Sequence, residues 1–229
     1  MIYITGDLHG GIDISKLNAK NFPQQKLLDK DDFVIVTGDF GLVFDNSKEE
    51  LFWRNWLLEK NFTTIFCDGN HENFNLLNQF PVEEWNGGKV HFINDSVIHL
   101  MRGQVFTIDD LKFFTMGGAT SIDKYRRKKG ISWWKEEIPS NKEFEEAFNN
   151  LDKHNWIVDY VISHTCSMRI MQERGYIKEN NALNKFFDML EGDLEYKHWY
   201  FGHFHNSIGI DEKHTMVYNE IIELKDGEI

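Results

Sequence analysis

Five short apolar runs in this chain each end in a turn that carries aspartate, asparagine or histidine, and no other feature limits its fold as tightly. The runs are Ile2 to Ile4, Phe33 to Val36, Thr63 to Cys67, Asp159 to Ser163 and His198 to Phe201. The turns hold, in order, Asp7 and His9, Asp39, Asn70 and His71, His164, and His203 and His205. Runs this short, rich in β-branched and aromatic residues and flanked by glycine, read as buried strands. Taken alone, Asp7-Leu8-His9 is ordinarily a turn with a surface histidine. The recurrence changes that reading, because strand-end turns call for Gly, Asn and Asp, whereas five of the ten histidines fall in these turns. Ligands of parallel sheets bind beyond the carboxyl ends of the strands, which is where all of these side chains sit. Asp, Asn and His donors without cysteine suit manganese, iron, zinc or similar ions better than a thiolate-bound structural zinc.

The pattern around those turns predicts an α/β fold. Three strand and helix units within about 75 residues favour a parallel sheet, with Ser47 capping a helix that carries Leu51, Phe52, Trp53, Trp56 and Leu57 towards the core. Residues 15–28 read as partly helical. From Val90 to Met116 four short strands read as an antiparallel block, followed by a helix over 141–153, a second over 181–190, and short closing strands. With 229 residues, 41% of them hydrophobic and 19 Phe, the chain suits one large core, read as a single domain over 1–229 with 102–139 as a cap or substrate-contact insert. No apolar run is long enough to span a bilayer and the start lacks a signal-like segment, so the expectation is a cytoplasmic protein without a membrane partner. Cys67 and Cys166 are too few for a disulfide framework and read as reduced thiols. A formal net charge of −12 disfavours long nucleic acid.

Gly6-Asp7-Leu8-His9-Gly10, Gly38-Asp39-Phe40-Gly41, Gly69-Asn70-His71-Glu72, Ser163-His164-Thr165 and Gly202-His203-Phe204-His205 together resemble the calcineurin-like metallophosphoesterases in content, order and approximate spacing. The resemblance covers nearly the whole chain. It implies a four-layer α/β/β/α sandwich with two central mixed sheets and a dinuclear metal centre at the strand ends. By motif position it implies that Asp7, His9 and His205 hold one metal, that Asn70, His164 and His203 hold the other, and that Asp39 bridges them. His71 would stand near the leaving-group oxygen as proton donor or charge stabiliser. The implied activity is hydrolysis of phosphate mono- or diesters by a hydroxide bound to two divalent ions, manganese first, with iron, zinc, nickel or magnesium as alternatives. The substrate would be a small phosphate ester or a nucleotide. The alternative is a non-catalytic member of the fold that binds a protein, a reading disfavoured by the full set of ligand positions.

The chain departs from the protein-phosphatase branch, which has an Asp-Arg pair where Leu42-Val43 stands here. That leaves Asp45 or Glu72 as the acidic partner of His71, and the basic run from Lys124 to Lys129 as the source of a phosphate contact. Arg126 and Arg127 are the candidates, since guanidinium meets phosphate oxygens as a fork, although such a run is also a solvated face. Trp133 and Trp134 read as packing a loop onto the core, with base stacking as the sharper alternative. The remaining histidines, His91, His99, His154, His198 and His214, read as ordinary core or surface residues.

Overall fold

The computed structural model describes residues 1–176 and 181–225. In chain order the elements are β1 (Ile2–Thr5), β2 (Phe33–Val36), α1 (Lys48–Leu58), β3 (Thr63–Phe66), α2 (Phe74–Leu77), β4 (Glu83–Trp85), β5 (Gly88–Asn94), β6 (Val97–Leu100), β7 (Gln104–Ile108) and β8 (Leu111–Met116). They continue with α3 (Asn141–Lys153), β9 (Tyr160–Ser163), α4 (Met168–Glu173), α5 (Ala182–Asp193), β10 (His198–Phe201), β11 (Ile208–Gly209), β12 (His214–Met216) and β13 (Ile221–Leu224). One sheet runs β13-β1-β2-β3-β6-β5-β4 and the other β11-β12-β10-β9-β8-β7. Each has four parallel inner strands with antiparallel strands at its margins, so both are mixed.

The alternation of side chains along each strand builds the layers. In β1 and β2, Tyr3, Val34 and Val36 face one way, into a core shared with Leu57 of α1 and Leu77 of α2. Ile4, Ile35, Ile65 and Ile98 stand side by side across the four parallel strands. They face Phe113, Ile162 and Tyr200 of the second sheet. On the far side of that sheet Phe114, Val161, Trp199 and Phe201 pack on Ala147 and Leu151 of α3 and on Ile170, Leu183 and Phe187 of α4 and α5. The result is the expected α/β/β/α sandwich. Burying each such Val, Leu, Ile or Phe side chain contributes about 1.5–3 kcal/mol before chain entropy is counted. Ser140 and Glu143 close a capping box on α3, worth about 1 kcal/mol.

Two expectations about local structure change. The strands from Val90 to Met116 are not a separate antiparallel block: β5 and β6 join the first sheet and β7 and β8 the second, with β6 parallel to β3 and β8 parallel to β9. The chain changes sheet at Met101-Arg102-Gly103, where Gly103 (φ +71°) lies so near Ala147 that a Cβ would meet its backbone nitrogen at 2.8 Å. The stretch read as partly helical over 15–28 is so, as two 3-10 helices, Ile14–Leu17 and Pro23–Leu27. Asn18 accepts from the backbone N–H groups of Lys20 and Asn21, which competes with helical bonding, and Pro23 fixes the second turn. Leu51 and Phe52 of α1, expected to face the core, are exposed, and strand β4 and helix α4 were not foreseen. Among the described residues no helix is long and apolar enough to cross a membrane.

Register aligns the functional turns. Thr5, Val36 and Phe66 pair at the ends of β1, β2 and β3, so Asp7, Asp39 and Asn70 leave the sheet together. In the second sheet His164 follows β9 and His203 and His205 follow β10, its parallel neighbour.

Candidate metal centre

The turns are cross-tied by backbone hydrogen bonds. The N–H groups of Leu8 and His9 donate to Asp39 O at 3.1 and 2.8 Å, Gly10 N to Phe40 O at 3.0 Å, and Gly202 N to His164 O at 3.0 Å. His9, Asp39, His203 and His205 all adopt positive φ, at 45°, 45°, 72° and 49°. That region is uncommon for residues with a Cβ and clusters at functional sites. Glycines let the side chains approach the backbone: a Cβ on Gly38 (φ +102°) would lie 2.2 Å from His164 Nδ1, one on Gly69 2.1 Å from Asp39 Oδ1, and one on Gly202 2.2 Å from Asp7 Oδ1.

Within this frame, Asp7, His9 and His205 offer donor atoms close enough to share one ion, and Asp7, Asp39 and His164 form a second such group. Asp7 belongs to both. Asp39 also faces both, with Oδ2 3.4 Å from His9 Nε2 and Oδ1 3.3 Å from His164 Nε2. Asn70 Oδ1 lies 3.2 Å from His164 Nε2, and the His203 ring stands edge-on to His164 at 5.0 Å. All seven residues expected to hold metal are therefore gathered at one end of the two sheets.

Outer contacts orient the imidazoles. His164 Nδ1 is 2.8 Å from Thr37 O, which leaves Nε2 for the centre. His9 Nδ1 is 2.8 Å from Asp13 Oδ2, which also accepts the Tyr218 hydroxyl at 3.2 Å. The Tyr218 ring stacks on His205 at 4.8 Å. Lys16, buried beneath them, donates to Asp7 O at 2.7 Å and Tyr218 O at 2.6 Å, and burial pushes its amine down to about 8. Such partners fix the tautomer and aim of metal-binding histidines.

The donor set fits divalent cations. Asp7 Oδ2 is wholly buried with no hydrogen-bond partner, 3.4 Å from His205 Nε2, and an ionised oxygen so placed calls for a cation. Burial pushes the Asp7 carboxyl up. Burial opposes charge on Asp39 as well, yet His164 and His9 hold its carboxyl well below the ordinary range. The same carboxylates overcome burial to raise His164 to about 10 and His9 to about 9. The two carboxylates thus favour positive charge beside them, the same preference that would draw a cation.

A cavity of about 450 Å³ opens over Asp39, Asn70, His71, His203 and His205. Arg127 enters it, with Nη1 and Nη2 3.0 and 3.2 Å from His71 Nδ1 and Nε2, and its Nε bonds Asp123 Oδ1 at 2.8 Å. Burial, together with that guanidinium, lowers His71 to about 4 against the pull of Asp39. Arg126 is not brought in; its guanidinium lies over Tyr125. Neither acid expected beside His71 reaches it. Glu72 accepts from the N–H groups of Phe40 and Gly41, at 2.7 and 3.3 Å, and Asp45 from Ser47 N. Trp134 is buried against Phe44 and Trp133 donates to Glu137, while Tyr176 and Phe204, stacked at 4.3 Å, line the cavity in their place. Of residues 102–139, 104–116 supply β7 and β8, and only the later part reaches the cavity. Asp13 four residues after His9 was a signal available in sequence; Tyr218 and Lys16 carried none. Cys67 and Cys166 are buried among apolar side chains.

A family model described as calcineurin-like phosphoesterase matches residues 1–207. No curated protein matches the chain. Among solved structures, a putative 5'-nucleotidase from Staphylococcus aureus in complex with alpha-ketoglutarate aligns at 17% identity and a TM-score of 0.49, over 95% of this chain and 48% of that one. This chain thus spans about half the length of that protein.

Proposed function

Because the chain belongs to the calcineurin-like phosphoesterase family, we propose that it hydrolyses phosphate mono- or diesters at a centre that holds two divalent metal ions. Asp7, His9 and His205 would hold one ion and Asn70, His164 and His203 the other, with Asp39 between them. Manganese leads among the candidates for a site of carboxylate, amide and imidazole donors, followed by iron, zinc, nickel and magnesium. The observation that carries the reading is the buried Asp7 Oδ2, left without a hydrogen-bond partner in a box of carboxylates and imidazoles. Bound there, two divalent cations supply Lewis acidity toward the phosphoryl oxygens and an activated water as nucleophile.

The chain's own residues supply the rest. Asp13 and Thr37 hold the imidazoles of His9 and His164 with Nε2 inward. Arg127, held by Asp123, presents a guanidinium fork at the cavity, where it would meet two oxygens of the phosphate. His71 is neutral near pH 7, which favours hydrogen-bond donation to the leaving oxygen over outright proton delivery. The same reading takes 1–229 as one domain, with the part of 102–139 beyond β8 as the substrate-contact segment and a small phosphate ester or nucleotide as the substrate. Hydrolysis of p-nitrophenyl phosphate, its bis-ester and cyclic nucleotides, with each metal added, tests it. Activity should require metal and should fall by at least about 10²-fold in Asp39→Asn. A native protein inactive on every ester with every metal, while binding a protein partner tightly, would replace this reading with a binding module.

A further inference from the structure

An asparagine can serve as a metal ligand only through its carbonyl oxygen, so something must decide which end of the Asn70 amide faces the centre. Asn70, Ser121 and Glu137 are all buried and form one chain. Asn70 Nδ2 is 3.2 Å from Ser121 Oγ, Ser121 Oγ is 2.9 Å from Glu137 Oε1, and Ser121 N is 3.0 Å from Glu137 Oε2. Trp133 Nε1 adds a second donor to Oε2, also at 3.0 Å.

The direction of these bonds follows from the donor inventory. An ionised carboxylate only accepts, so the Ser121 hydroxyl spends its one hydrogen on Glu137 and offers Asn70 a lone pair. That lone pair takes an N–H of the Asn70 amide, and Oδ1 is left pointing toward His164 and the centre. We propose that Glu137 and Ser121 are positioning residues which, from the 120–139 segment, fix the amide of Asn70 with its oxygen toward the metal. The inference rests on the reading of Asn70 as a metal ligand. The segment thereby acts twice, because the carboxylate that orients Asn70 also anchors both ends of the stretch that carries Arg127.

An isosteric change tests the direction of the chain. In Glu137→Gln, the Oε2 position must still accept two N–H donors, so the amide nitrogen falls at the Oε1 position and donates to Ser121 Oγ. The serine hydrogen, displaced from position 137, is then free to turn toward Asn70, and the amide is no longer held with its oxygen toward the centre. Ser121→Ala removes the restraint in a different way, and Ser121→Thr keeps it. An aspartate at position 70 has no wrong end to present, so neither change can turn an N–H toward the centre.

Calorimetric titration with Mn²⁺, above the Glu137 value of about 7, reads the two ions separately. Glu137→Gln and Ser121→Ala should weaken one ion by about 10- to 100-fold and spare the other, with Ser121→Thr close to native. In an Asn70→Asp background the same two changes should cause no loss at either ion. Native affinity for both ions in Glu137→Gln and Ser121→Ala, with one ion lost in Asn70→Ala, overturns the positioning role and leaves the ligand reading standing. Losses that persist in the Asn70→Asp background also overturn it, because the effect is then general packing. Two ions bound normally by Asn70→Ala remove the ligand reading and this inference with it.

Discussion

Gly202→Ala tests whether the spacing of the turns sets the chemistry. Gly202 does not occupy the left-handed region, so alanine meets no backbone penalty there. Its methyl would lie 2.2 Å from Asp7 Oδ1, 2.8 Å from Thr37 Oγ1 and 3.0 Å from Thr37 O. Bringing the first contact from 2.2 to an ordinary 3.4 Å requires the carboxylate to retreat by about 1.2 Å. Asp7 is fully buried and its Oδ1 already accepts from His203 N, so the retreat also shifts the fifth turn. Overpacking of this kind costs about 1–3 kcal/mol of stability. A ligand misplaced by about 1 Å costs about 10²-fold in rate, or about 2.7 kcal/mol of barrier. The assay is kcat/KM on p-nitrophenyl phosphate beside an Mn²⁺ titration and a thermal melt. Gly192→Ala in α5 is the control, because its Cβ would meet nothing within 4 Å. That change should leave activity intact and add about 0.4–1 kcal/mol of stability. A Gly202→Ala protein that binds metal and turns over like the native chain would refute the argument that glycine is required for the close approach.

Asp68→Asn should lower stability in a urea melt by about 3 kcal/mol, because it removes the charge paired with the buried Arg102 guanidinium, whose Nε lies 2.9 Å from Asp68 Oδ2, and leaves it the longer contact with Glu143 at 3.4 Å. Burial alone would raise the Asp68 carboxyl, but Arg102 and His99 outweigh it and hold it below the ordinary value of 3.8. The contribution is thus complete above about pH 4 and lost as pH falls through the lower folded value, a slope that Asp68→Asn should abolish. Arg127→Ala should cut kcat/KM by about 10- to 100-fold, as expected for a charge-assisted contact, with metal stoichiometry unchanged. Unchanged kinetics would remove Arg127 from substrate binding.

Much of the sheet plan could be read in advance because each strand is an uninterrupted apolar run with a polar stop, a pattern set by burial on both faces. The division of Val90–Met116 between two sheets could not be read, since β6 and β8 have the same composition whichever neighbours they pair with. What separates them is the turn at Gly103, and its packing against Ala147 is a contact across 44 residues of sequence. The same limit applies at the site. The residues proposed for the site stand in local motifs, but those that contact them come from elsewhere: Tyr218 onto His205, Glu137 through Ser121 onto Asn70, Arg127 onto His71. Arg126 and Arg127 are equivalent as sequence, and the contacts of Arg127 with Asp123 at 2.8 Å and with His71 distinguish the one turned inward. Asp45 and Glu72 were plausible as acids but are consumed by backbone N–H groups of the surrounding turns.

The positive φ at His9, Asp39, His203 and His205 explains why the turns had to be tied to one another. Each costs about 1–2 kcal/mol against an ordinary backbone, a sum comparable with the net stability of a domain. Glycine at these positions would relax the backbone and delete the proposed ligand, so the strain has to be balanced by neighbours. The first and second turns balance each other: Leu8 N and His9 N both bond Asp39 O, and Asp39 Oδ1 accepts His71 N from the third at 2.8 Å. The Asp39 carboxylate expected to sit between the ions is therefore also the acceptor that holds the third turn in place. In Asp39→Asn the one remaining oxygen can keep His71 N only by turning the NH2 group to the Oδ2 position that faces His9, so charge and one acceptor are lost together and the loss should exceed that of any single terminal ligand.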